Sequence, residues 1–89
     1  MKYSVKYSDD ALKSLKKIDR QQTQIIVAWI EKNLVDCENP RLHGRPLRHD
    51  RKGEWRYQIG SYRIIADIQD SIVTIEIINV GHRKDVYRK

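Results

Sequence analysis

Residues 54–78, EWRYQIGSYRIIADIQDSIVTIEII, alternate apolar and polar side chains in three runs separated by Gly60-Ser61 and Asp70-Ser71. A period of two is the signature of strands with one buried face, and a two-residue interruption beginning with Gly fits a type II′ hairpin turn. That turn sets Ile59 opposite Tyr62, Gln58 opposite Arg63 and Arg56 opposite Ile65, so that Trp55, Tyr57, Ile59, Tyr62, Ile64 and Ala66 share one face. A second turn at Asp70-Ser71 sets Ile64 opposite Ile77, Ala66 opposite Ile75 and Ile68 opposite Val73, which extends the same apolar face. The two turns agree with each other. Agreement matters because a slip of one residue sends every side chain to the opposite face. The other face, with Glu54, Arg56, Gln58, Arg63, Ile65, Asp67, Thr74, Glu76 and Ile78, is a mixed polar surface open to solvent or to a ligand.

Upstream, residues 2–7 also alternate, with Tyr3, Val5 and Tyr7 on one side, and read as an opening strand. Ser8 is placed to cap a helix whose first turn holds Asp9 and Asp10, and Ala11, Leu12, Leu15 and Ile18 recur at helical spacing. Asp19 offers a break and a new cap, after which Ile25, Ile26, Trp29, Ile30 and Leu34 mark a second helix from about Arg20 to Val35. Residues 36–53, DCENPRLHGRPLRHDRKG, follow neither period and read as an exposed basic loop, with Leu42 and Leu47 expected to pin it to the body. The expected architecture is α+β, in the order β-α-α-β-β-β, an antiparallel sheet with two N-terminal helices packed on one face.

At 89 residues the chain suffices for one domain, residues 1–89, with one modest core. Its net charge of +6 is uneven: residues 1–40 hold seven Lys and Arg against six acids, residues 41–89 eleven against six. Such asymmetry points to nucleic acid, an anionic membrane surface or an acidic protein partner. The single Cys37 excludes an internal disulfide, and no apolar run resembles a leader or a membrane span, so a cytoplasmic location without membrane association is expected.

Arginine carries a permanent charge on a planar fork that fits phosphate oxygens, so several on one sheet face suggest a phosphodiester target. Cleavage of RNA by its own 2′-hydroxyl requires removal of that proton, stabilisation of phosphate charge and protonation of the departing 5′ oxygen. Guanidinium groups suit the second task but not proton transfer, since arginine is effectively never deprotonated. His82 is open to three roles: proton acceptor, phosphate contact or plain surface residue. Tyr87 is open to three as well: proton transfer, stacking on a base, or anchoring the tail. His43, His49 and His82 lack the tight spacing of metal ligands and sit among cations, and no phosphate loop, serine triad or dinucleotide fingerprint occurs. Neither metal nor cofactor is expected.

The order strand, two helices, basic loop and meander, together with WRYQIGSYRII at 55–65 and VGHRKDVY at 80–87, resembles the RelE branch of the RelE/ParE toxin superfamily from end to end. The resemblance implies a ribosome-dependent mRNA endonuclease of a type II toxin–antitoxin pair, which cuts mRNA in the ribosomal A site without a metal and is silenced by a cognate antitoxin. It implies that Arg63 and Arg83 hold the scissile phosphate and stabilise its transition state, that Tyr87 stacks on a base and assists proton transfer, and that Arg56 is the basic residue before the hairpin. Gln58 departs from the pattern, because a second basic residue is common there, and the general base is left open. Arg45, Arg48, Arg51 and Lys52 of the loop, with Gln58, His82 and Lys84, complete the expected RNA contacts. Two alternatives stand beside this reading: a ParE-type gyrase inhibitor, and a non-catalytic RNA- or protein-binding module.

Overall fold

One hydroxyl group joins helix to sheet. Ser8 separates β1 (Ser4–Tyr7) from α1 (Asp9–Lys17); its Oγ accepts the Ala11 N–H at 3.0 Å and donates to the Ile78 carbonyl at 2.7 Å. The first bond is an N-cap, which satisfies one of the donors that every helix start leaves without an intrahelical partner. Asp19 repeats the device, accepting the Gln21 N–H at 3.1 Å to begin α2 (Arg20–Asn33). The computed structural model describes residues 2–46 and 54–82.

Four further strands follow: β2 (Arg45–Pro46), β3 (Glu54–Ile59), β4 (Tyr62–Gln69) and β5 (Thr74–His82), arranged in the order β1-β5-β4-β3-β2. This is the expected α+β architecture with two differences. The sheet is mixed, because β1 runs parallel to β5. The physical reason is the connection: two helices and a loop carry the chain from β1 to the far edge, and a three-strand meander back delivers β5 beside β1 in the same direction. The second difference is β2, two residues of the basic loop that pair with β3.

The first hairpin has the expected register throughout, from Ile59 opposite Tyr62 to Arg56 opposite Ile65, and Gly60 supplies the positive φ, +59°, that its turn requires. The second hairpin differs. Asp70–Ile72 form a 3-10 turn closed by Val73 in the left-handed region, so Ala66 faces Ile77 and Ile68 faces Ile75, two residues along β5 from the expected pairs. A shift of two preserves faces, and Ile75 and Ile77 remain buried. Beyond Ala66 the ladder is broken by a β-bulge: Ile65 faces Asn79 and Ile64 faces Val80, leaving Ile78 as the extra residue. The bulge is fastened to α1 by the Ser8–Ile78 bond and by Ser14 Oγ, which donates to Asn79 Oδ1 at 3.0 Å.

The core lies between the helices and one sheet face. Ala11 and Leu15 of α1, and Ile26, Ile30 and Leu34 along α2, pack on Tyr57, Ile64, Ala66, Ile75, Ile77 and Val80. Ile25 lies a third of a turn from this line and is 51% exposed, and Leu12 is 46% exposed.

The described part of the loop after α2 is held by polar bonds to sheet aromatics, not by Leu42. Leu42 is 73% exposed, and Leu47 lies outside the described residues. Instead the Tyr57 hydroxyl donates to the Pro40 carbonyl and Trp55 Nε1 to the His43 carbonyl, each at 2.6 Å. Arg41 adds a two-pronged ion pair with Asp70, at 2.9 and 3.1 Å. Arg41 and the Tyr3 hydroxyl, both hydrogen-bonded to the Asp70 carboxylate, hold its pKa below the usual value.

Burial drives the Tyr57 hydroxyl well above the ordinary tyrosine range. Its neutral form therefore contributes stability that is fully present below the unfolded pKa of about 10 and is lost as pH rises above it. Tyr57→Phe, which leaves the Pro40 carbonyl without its donor, is expected to lower stability at pH 7 by about 1–3 kcal/mol in urea unfolding. The gap between the two proteins is expected to narrow as pH climbs past about 10.

Candidate functional site

Alternation along β3 distributes its side chains to two tasks. Tyr57 goes to the core, so Arg56 and Gln58 emerge on the face away from the helices, and Arg63 does the same on β4 beside buried Ile64. Gln58 is the direct cross-strand partner of Arg63, and Arg45 of β2 is the partner of Arg56. Together with Gly44 these four side chains line an open groove of about 430 Å³.

Arg45 and Arg56 are like charges set directly opposite each other, a pair that an anion can bridge. The planar guanidinium groups suit phosphate oxygens for that purpose. The same sheet face carries the opposite charge at its other end. Glu54 faces Asp67 and Asp67 faces Glu76, a row of carboxylates across β3, β4 and β5, with Gln69 Nε2 donating to Asp67 at 3.0 Å and to Glu76 at 3.3 Å. A polyanion meeting this face is drawn to the Gly60 hairpin end and repelled from the far end.

Of the residues expected at the site, Arg45, Arg56, Gln58 and Arg63 are brought together in the groove. His82 is not. As partner of Tyr62 beyond the bulge it stands on the helix side of the sheet, its ring edge-on to Tyr62 with centroids 5.7 Å apart, in a pocket of about 390 Å³ shared with Ser14, Lys17, Asp19 and Asn79. β5 does bring Gly81 directly opposite Arg63, at the end of the groove. Arg48, Arg51, Lys52, Arg83, Lys84 and Tyr87 lie outside the described residues. Among the described residues no three His, Cys, Asp or Glu side chains converge as metal ligands, and no helix is long and apolar enough to cross a membrane.

One contributor had no clear sequence signal. Gly44 adopts φ +79°, and a Cβ there would collide with the Arg56 carbonyl and come within 2.8 Å of Trp55 Nε1 and 2.9 Å of Tyr57 Cδ1. Glycine is thus required for β2 to lie against β3 and for Arg45 to reach the groove. The sole hint was its place before Arg45-Pro46 in a loop otherwise without pattern.

The family model described as the ParE toxin of the type II toxin–antitoxin system parDE matches residues 5–87. The toxin RelG of Mycobacterium tuberculosis is 32% identical over 90 residues, covering 100% of both chains. Among solved structures, a chain of the toxin–antitoxin complex RelBE2 from Mycobacterium tuberculosis superposes with a TM-score of 0.81 at 28% identity, covering 96% of this chain and 95% of that one. The intact RelBE complex of Escherichia coli shares the fold, with a TM-score of 0.74 at 23% identity over 90% of this chain and 95% of that one. The protein belongs to the RelE branch of the RelE/ParE superfamily and is a toxin of the type II toxin–antitoxin class.

Gly44→Ala is expected to detach β2 from β3 while leaving the rest of the sheet in place. Hydrogen exchange should then show lost protection at Arg45 and Arg56, with the β4–β5 amides still protected; retained protection at Arg45 would contradict the packing argument.

Proposed function

We propose that this toxin is a ribosome-dependent endoribonuclease that cuts mRNA in the A site. The observation that carries the reading is the groove itself, where Arg45, Arg56 and Arg63 gather on one sheet face at the end the carboxylate row avoids. In the proposed reaction the 2′-oxygen attacks the adjacent phosphorus and the bond from phosphorus to the 5′ oxygen breaks. The products are a 2′,3′-cyclic phosphate and a free 5′-hydroxyl. Arg63 and Arg83 hold the non-bridging oxygens as charge grows on them, and Arg56 and Arg45 hold the neighbouring backbone.

The proton transfers need other groups. Gln58 accepts a hydrogen bond through its amide oxygen and orients the 2′-hydroxyl, but it takes no proton. His82 lies across the sheet from Arg63, which argues against it as the base. Tyr87 is the proposed proton-transfer residue and a stacking platform for a base. No metal or cofactor enters this scheme.

The proposed partners are the ribosome with its mRNA and a cognate antitoxin, the latter because the RelBE2 and RelBE neighbours are toxin–antitoxin complexes. The setting is the cytoplasm. The ParE-named family model favours one second reading, inhibition of gyrase.

Arg63→Ala, Arg83→Ala and Tyr87→Ala are each expected to lower cleavage on programmed ribosomes by roughly two or more orders of magnitude, the scale of lost electrostatic or acid–base catalysis. Mapping mRNA 5′ ends after induction measures this. Growth arrest with intact mRNA and blocked supercoiling would transfer the proposal to gyrase.

A further inference from the structure

Arg41 is a cation of the basic loop that the arginine groove does not use. Its Nη1 and Nη2 donate to the two oxygens of Asp70 at 3.1 and 2.9 Å, so the fork that suits a phosphate is already filled by a carboxylate. The Tyr3 hydroxyl donates to the same carboxylate at 2.6 Å, and the Arg41 guanidinium lies over the Trp55 ring, 5.9 Å from its centroid. One cluster thus ties together the start of the chain, the loop, β3 and the turn between β4 and β5. An isolated exposed ion pair contributes little to stability, but a two-pronged pair within a network, set over an aromatic face, holds a defined geometry.

The cluster connects to the groove through Trp55. With its ring under Arg41, the indole donates its Nε1–H to the His43 carbonyl at 2.6 Å. The next residue, Gly44, packs so closely that a Cβ there would come within 2.8 Å of the same Nε1. Arg45 follows, paired with Arg56 and lining the groove. Asp70 therefore reaches Arg45 through a chain of adjacent contacts, by way of Arg41, Trp55 and His43. It does not reach the groove through space. Seven residues at about 3.3 Å each separate it from Arg63 along β4, roughly 20 Å, against a screening length of about 8 Å at physiological ionic strength.

We infer that Arg41 and Asp70 are positioning residues: their ion pair, acting through Trp55, holds the loop so that Arg45 is presented to RNA in the groove. The inference rests on the proposed RNA-cleaving reading and gives the far end of the sheet a part in substrate binding without any contact to substrate.

The discriminating variant is Asp70→Ala. It removes a negative charge, so on net charge alone it would leave RNA binding unchanged or strengthen it, whereas loss of the latch weakens it. Association of the full chain with purified ribosomes carrying mRNA and an empty A site is expected to fall roughly fivefold or more. The slope of log affinity against log salt should become shallower by about one, the mark of one lost phosphate contact. Cleavage at saturating ribosome concentration should be unchanged, so that KM rises and kcat stays. Arg41→Ala is expected to behave alike, and in an Arg45→Ala background neither substitution should have a further effect, because both act through Arg45. Hydrogen exchange follows the latch itself: in Asp70→Ala the Arg45 and Arg56 amides lose protection while those of β4 and β5 keep theirs, which also establishes that the variant folds. Undiminished ribosome affinity in Asp70→Ala would overturn the inference, as would unaltered protection at Arg45 and Arg56. A loss that adds fully to that of Arg45→Ala would overturn it too, since Arg41 would then touch RNA on its own account. Failure of the unaltered protein to associate with ribosomes would overturn the proposed function and the inference together.

Discussion

The fold and its cationic groove both depend on the two-residue period of β3. Trp55 and Tyr57 turn to one side and hold the loop through the His43 and Pro40 carbonyls; Arg56 and Gln58 turn to the other and form the groove floor. Because the held loop ends in β2, the aromatic bonds behind the sheet also determine where Arg45 stands in front of it. Buried hydrogen bonds of this kind add only modestly to net stability, but breaking one leaves a carbonyl without a partner. Position, more than energy, is what they supply.

Much of this was legible in the chain. Gly60 fixed the first hairpin, and with it the face shared by Arg56, Gln58 and Arg63, because a turn requiring positive φ admits few registers. Ser8 and Asp19 announced both helix starts. The second turn was not legible, since Val73 occupies the left-handed region without the glycine or asparagine that signals it. Nor was the parallel pairing of β1 with β5, which follows from how a long connection crosses the sheet and leaves no mark in local periodicity.

For the site the boundary is similar. Charge and alternation named the groove arginines, but Gly44 read as simple punctuation because the atoms that forbid a side chain there belong to Trp55, Arg56 and Tyr57, distant in sequence. Leu42 misled for the converse reason: an apolar residue in a loop suggests an anchor, whereas the anchoring is done by an aromatic hydroxyl and an indole N–H. His82 could not be assigned a face without knowledge of the bulge between it and Ile77.

That bulge decides which side of the sheet each of the last residues of β5 occupies. With Ile78 as the additional residue, Val80 turns inward, Gly81 lies beside Arg63 and His82 joins the helix side. Paired without the bulge, with Ile78 opposite Ile65, the same residues would all exchange sides, so that a valine meets solvent and the groove side gains an imidazole. Substitutions along β5 alter one contact at a time. Loss of the bulge with the chain length kept would rewrite both surfaces of the protein together, whereas deletion of Ile78 itself would straighten the ladder and leave Val80, Gly81 and His82 on their present sides.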